Sequence, residues 1–196
     1  MEPRIASVNR KTKETDIQLT LNLDGTGNAE VNTGVGFFDH MLNHIARHGL
    51  FDLSVQAQGD LIIDDHHTVE DVGIALGSTF RQALQNCAGI DRVGNCFMPM
   101  DEALVQCSID ISGRGHCVCE LDLPAPLLGH FTTELTPEFF RAFAVNAGWT
   151  VHIRQISGTN THHIVEAAFK AFARAAAQAV ALNPRVTGIP STKGVL

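Results

Sequence analysis

The sequence has no tyrosine, one tryptophan, and only 14 Lys and Arg against 21 Asp and Glu, a formal charge of −7 over 196 residues. So few cations argue against nucleic acid or an anionic membrane surface as the main partner, because both require a cationic face. No apolar run reaches the roughly 18 residues of a membrane span. The most apolar stretch, Ala167 to Leu182, is broken by Lys170, Arg174 and Gln178 and reads as a packed amphipathic helix. The N-terminal segment lacks a secretory pattern, and its Glu2, Glu14 and Asp16 suit an organelle transit peptide poorly. Five cysteines without a CxxC pair exclude a disulfide framework and a zinc ribbon. A cytoplasmic, reduced protein is expected. With 44% hydrophobic and 18% charged residues, it is an ordered globular chain.

Histidine is abundant instead, with ten residues, and the chain repeats itself. Ile17 to Gly25 (IQLTLNLDG) reappears as Val105 to Gly113 (VQCSIDISG), both with the alternation of a half-buried strand. Each enters a Gly-x-Gly turn before a second strand-like run. Asp65 to Glu70 (DHHTVE) reappears as Thr161 to Glu166 (THHIVE), each opening a long helical pattern. Shorter helices at Asp39 to His48 and Thr136 to Ala147, and short strands at Phe51 to Ala57 and Val151 to Gln155, complete the two copies. The order β-β-α-β-α therefore occurs twice, over 1–91 and 92–185, with a tail at 186–196, in one compact unit. The offset between copies grows along the chain, which an insertion around Pro124 to Thr132 explains. Two sheets with helices packed between them would bury every apolar face. The expectation is an α+β sandwich of duplicated half-domains with pseudo-twofold symmetry.

In each HHxxE segment, the first His and the Glu are four residues apart and stack on one helix face. The second His is turned about 100° away. The pairs are His66 with Glu70 and His162 with Glu166, while His67 and His163 point in another direction. His40 lies on the shorter helix, and its counterpart in the second copy is Glu138. Imidazoles and carboxylates without thiolates suit six-coordinate Mn or Fe better than zinc. His44, whose counterpart is Ala142, reads as a packing or solvated residue, and His116, His130 and His152 as structural.

These residues resemble the imidazoleglycerol-phosphate dehydratase family. The resemblance runs nearly end to end: Arg10 to Asp16 (RKTKETD), Phe38 to Leu42 (FDHML), both HHxxE motifs, Phe169 to Arg174 (FKAFAR) and Ile189 to Gly194 (IPSTKG). With no phosphatase domain ahead of the match, it resembles the monofunctional form. It implies a fold like domain 2 of ribosomal protein S5, with two mixed β-sheets around paired helices. It also implies two Mn(2+) ions per active site, held by His40, His66, His67, Glu70, Glu138, His162, His163 and Glu166. Many members carry His where this chain has Glu138. The helix geometry suggests one ion on His66, Glu70, His163 and Glu138 and the other on His162, Glu166, His67 and His40, with donors not all from one chain. Arg92, Arg114, Lys170, Ser191, Thr192 and Lys193 match the family's phosphate grip, and the 186–196 tail is implied to bind substrate. His48 and Glu14 match further substrate contacts, as do His40, His66, His67, Glu70 and His162. Glu14 is the implied acid–base residue, with Glu70 and Glu166 able to move protons.

The reaction implied is dehydration of imidazole glycerol phosphate to imidazole acetol phosphate in histidine biosynthesis. The C–H to be broken is not next to a carbonyl, so the imidazole ring must be the electron sink, through a di-manganese-bound imidazolate and a diazafulvene. Family members assemble from trimers into a twenty-four-subunit shell with active sites between subunits. A dinuclear phosphohydrolase would favour Asp-rich ligands, a di-iron storage bundle ExxH motifs on long helices, and a plain binding module neither motif.

Overall fold

The computed structural model describes residues 3–196; Met1 and Glu2, which the sequence reading puts in the first repeat, lie outside them. The first half runs β1 (Ile5–Lys11), β2 (Thr15–Asn22), β3 (Ala29–Asn32), α1 (Gly36–Gly49), β4 (Asp52–Gly59) and α2 (His66–Leu84). The second runs β5 (Val93–Met100), β6 (Ala103–Asp110), β7 (His116–Glu120), a small hairpin of β8 (Leu127–Leu128) and β9 (Phe131–Thr132), α3 (Leu135–Ala147), β10 (Thr150–Ser157) and α4 (Thr161–Val180). Apart from the β8–β9 hairpin, each half thus has one strand more than the repeat predicts. β1 and β5 are outer strands whose inward residues are small or half-buried, such as Ala6, Val8 and Cys96, so their alternation is faint in sequence.

The sheets have matching orders, β1-β2-β4-β3 and β5-β6-β10-β7. Both are mixed: β3 runs parallel to β4 and β7 parallel to β10, and the other neighbours are antiparallel. The paired central strands bury Ile17, Leu19 and Leu21 in one copy and Val105, Cys107 and Ile109 in the other. All five thiols are free, and burial pushes that of Cys107 well above its ordinary pKa. The β8–β9 hairpin occupies the insertion.

Helices from opposite halves pair between the sheets, α2 with α3 and α1 with α4. Gly73 lies against Phe139 and Ala142, and Gly77 against Phe143 and Ala147, so α2 and α3 run parallel and close. A Cβ on Gly77 would meet the Phe143 carbonyl oxygen at 2.4 Å. The ring of Phe139 links α3 to α1 through Phe38 (centroids 5.4 Å) and to α4 through Phe169 (5.1 Å), and Phe143 meets Phe172 one turn on. All four helices therefore point the same way, with their N-termini at one end of the layer.

Candidate metal centre

That helix-N-terminal end carries every proposed metal donor. At the start of α4 the Asn160 carboxamide oxygen accepts from the amides of His162 and His163, which fixes the first turn. At the start of α2 the His66 amide donates to Asp64 at 2.9 Å, while Asp65 accepts from the amide and hydroxyl of Thr132 in the inserted hairpin.

Between α1 and α4 the donors converge. Glu166 Oε2 lies 3.1 Å from His162 Nε2 and 3.4 Å from His40 Nε2, and one ligand atom from each of the three lies within 4.8 Å of the others. Glu166 Oε1 is engaged separately, by Lys170 Nζ at 2.5 Å and His44 Nε2 at 3.3 Å. His44 also lies 3.1 Å from His40, so the residue read as packing or solvated belongs to the polar cluster. Burial alone would raise the Glu166 carboxyl, but the Lys170 hydrogen bond, with His44 and His162, holds it down at about 2. Burial, reinforced by His40 and Lys170 against the pull of Glu166, pushes His44 down to about 4, leaving a neutral ring. His48, one turn on, is lowered by burial and then by Lys170 and Arg174.

The corresponding set between α2 and α3 is looser. His66 Nε2 stands 3.9 Å from Glu70. The register of the two glycines puts Glu138 at the same level of the helix pair, where it is paired with Arg141 one turn along.

His67 and His163 are oriented alike by residues that the sequence reading missed. His67 Nδ1 is 3.1 Å from both oxygens of Asp60, and His163 Nδ1 is 2.7 Å from Glu102. These contacts raise the pKa of each ring, the carboxylate hydrogen bond being the main cause. Glu102 also accepts from the amides of Thr159 and Asn160, and with His163 these hold it at about 2. A carboxylate on Nδ1 fixes the ring and leaves Nε2 to face outward, the usual arrangement behind a metal-bound imidazole. Glu14, on the β1–β2 turn, lies 4.0 Å from His67 Nε2. Beneath it, Asp71 binds Arg10 and Thr15 and ties the hairpin to α2. Asp60 and Glu102 sit in loops with no periodicity or motif, so only the fold reveals them.

The cations read as a phosphate grip lie at the opposite end. The Arg92 amide bonds Ala179 near the end of α4, roughly 25 Å from His162 at 1.5 Å per residue. Its guanidinium holds Asp110 at 2.7 Å and the Pro190 carbonyl at 2.9 Å, anchoring the C-terminal tail. Arg114 is exposed on the β6–β7 turn, whose Gly113 abuts Leu196. Ser191 and Lys193 form a turn in that tail, with Thr192 between them, and Ile189, Val195 and Leu196 help line a 310 Å³ cavity over Trp149. Lys170 alone of the expected cations sits among the imidazoles. A 520 Å³ cleft beside Arg4 and Leu182 and a 480 Å³ cleft between Leu121 and Pro137 contain none of the donors.

The family model for imidazoleglycerol-phosphate dehydratase matches residues 33–176. The chain is 58% identical over 193 residues to the imidazoleglycerol-phosphate dehydratase of Desulforamulus reducens, covering 98% of each. The chain belongs to this family. As a member of the imidazoleglycerol-phosphate dehydratase family it is an enzyme, a hydro-lyase. The relative from Symbiobacterium thermophilum is 57% identical over 98% of this chain and 93% of its own. The crystal structure of the dehydratase from Staphylococcus aureus has a TM-score of 0.83 at 38% identity, covering 91% of this chain and 99% of that one. The structure from Pyrococcus furiosus in complex with (S)-C348 gives the same TM-score and identity over 96% and 100%. These solved members bear out the duplicated α+β sandwich. The donor chemistry fits a divalent ion: imidazole nitrogens and an ionised carboxylate converge, and no thiolate takes part.

Proposed function

We propose that the chain dehydrates D-erythro-imidazole glycerol phosphate to imidazole acetol phosphate and water in L-histidine biosynthesis, with two Mn(2+) ions per active site. The observation that carries this reading is the convergence of His40, His162 and Glu166, with the second His of each motif backed by a carboxylate. His40, His162 and Glu166 would hold one ion, and His66, Glu70 and Glu138 the other, with His67 and His163 each adding an imidazole. Bound Mn(2+) would supply Lewis acidity to the substrate's ring nitrogens, which the reaction needs because the breaking C–H has no adjacent carbonyl.

The chain's own residues do the rest. Glu14 is exposed, near His67, and able to take the C–H proton as general base. Glu70 and Glu166 would hold metal and, as carboxylates, can relay the proton that Glu14 removes to the departing hydroxide, which leaves as water. His48 contacts substrate beside the α1/α4 cluster. Arg92, Arg114, Lys193, Ser191 and Thr192 grip the phosphate, an Arg fork giving bidentate contacts and Lys a point charge. On this reading residues 186–196 form a substrate-binding tail, while 1–91 and 92–185 are the two repeats. Lys170 serves substrate from its place against Glu166.

Roughly 25 Å along α4 separates the grip from His162 within one protomer. On this reading the metal end of one subunit meets the phosphate end of another, in trimers that assemble into a twenty-four-subunit shell. The loop before α2 supports such a contact, exposing Leu61, Ile62 and Ile63 beside His66, with Ile62 97% exposed. Among the described residues no helix is long and apolar enough to cross a membrane. We assign the enzyme to the cytoplasm.

The test is incubation with Mn(II) and imidazole glycerol phosphate, read as appearance of an enolisable ketone. Phosphate release without ketone would overturn the reading in favour of a hydrolase. Glu14→Gln is expected to keep Mn and substrate binding while losing turnover; near-normal rates would remove it from the mechanism. A chelator should shift the particle to a smaller species in sizing chromatography.

A further inference from the structure

The two donor sets are copies of one another, yet three matched positions differ in charge or in polar side chain. His40 on α1 corresponds to Glu138 on α3, His44 to Ala142, and Lys170 on α4 to Ile74 on α2. Around Glu166 one oxygen is neutralised by Lys170 at 2.5 Å and the other faces two imidazoles. Around Glu70 there is His66 at 3.9 Å, and at the same level of the helix pair a second carboxylate, Glu138, whose partner Arg141 is exposed. One set therefore offers two nitrogens and one neutralised carboxylate. The other offers one nitrogen and two carboxylates. His67 and His163 add one imidazole to either set and leave the difference intact.

We infer that the two metal positions are inequivalent, with the α2/α3 set a tight, oxygen-rich site that fills first with a hard dication such as Mn(II), the α1/α4 set a weaker, nitrogen-rich site that fills second, and Glu138 the residue that sets the difference. This rests on the two-metal reading above and adds to it an order of loading. An incoming dication is attracted by both Glu70 and Glu138, because the Arg141 guanidinium beside Glu138 is 59% exposed and screened by water, and it is repelled by the mostly buried Lys170. Oxygen donors suit Mn(II), whereas imidazole shifts preference toward later metals such as Co, Ni and Zn.

The test uses the full chain, stripped with EDTA and titrated with Mn(II) alone, while the six-line EPR signal of free Mn(II) reports what is unbound. Two classes of site are expected, differing about ten-fold or more in Kd, equivalent to about 1.4 kcal/mol. Glu138→His should weaken the tight class and bring the two together. Lys170→Gln, which keeps a hydrogen bond to Glu166 and drops the charge, should strengthen the weak class. Two equal sites in the unaltered protein, or a Glu138→His effect confined to the weak class, would overturn the inference and leave the two-metal reading standing. Absence of Mn(II) binding would overturn the two-metal reading itself, and this inference with it.

Discussion

The two HHxxE motifs share a spelling and a place at the head of a long helix, but not a setting. Glu166 is 5% exposed and has four partners, His40, His44, His162 and Lys170. The Glu70 side chain is 44% exposed and meets His66 at 3.9 Å. The motif dictates which way the donors point, because residues four apart stack on one helix face. The partner helix and the next turn dictate the charge they meet. Duplication copied the spacing, and divergence at positions 44, 138, 142, 74 and 170 made one copy a closed cluster and the other an open one.

The largest test of this contrast is the same substitution in both copies. In EDTA, Glu166→Gln strands the mostly buried Lys170 ammonium and should cost about 3 kcal/mol of unfolding free energy in urea titrations. Glu70→Gln, at an exposed site, should cost less than about 1 kcal/mol. Equal losses would erase the distinction.

Helix approach differs as well. Gly77→Ala sets a methyl against the Phe143 carbonyl and should cost about 2 kcal/mol by overpacking. The matched position on α4 is already Ala173, which is fully buried. A neutral Gly77→Ala in thermal melts would mean that α2 and α3 can part without penalty.

Next come the carboxylates behind the second histidines. Asp60→Asn and Glu102→Gln should each weaken Mn(II) binding by about ten-fold, because each releases the ring it orients. Glu102→Gln should also loosen the loop at Thr159 and Asn160, visible as faster amide exchange there.

The smallest effect is local and pH-dependent. In the first half Asp52 pins the β2–β3 turn by accepting from the amides of Thr26 and Asn28, which lowers its pKa from the ordinary 3.8. At the matched turn of the second half the pin is a hydroxyl pair, Ser112 with Thr150 at 3.0 Å. A depressed carboxylate stabilises fully above its ordinary value, and that contribution is lost as the pH falls through the lower folded-state value. Acidification should therefore release the Thr26 and Asn28 amides in exchange experiments while leaving Arg114 unaffected. Matching pH responses at the two turns would contradict it.

Much of this was legible in the residues. Alternation at Ile17 to Leu21 and at Val105 to Ile109 marked the central strands, and the glycines after them marked turns. The outer strands β1 and β5 were missed because their inward residues are small and only half buried. The role of His44 was missed because its partner, Glu166, is 122 positions away on another helix. Asp60 and Glu102 left no trace in pattern, because a carboxylate that orients a ring is defined by a distance across loops.

By itself, then, the sequence determined the repeat, the strand faces and the pairing of His with Glu on one helix face, because these follow from periods of two and 3.6 residues. Only the tertiary structure decided which carboxylate is buried beside a cation and which is left exposed. It alone put the proposed metal donors at one end of the helices and the tail cations at the other. Those properties depend on distances between residues far apart in the chain, and Coulomb energy and burial act through those distances.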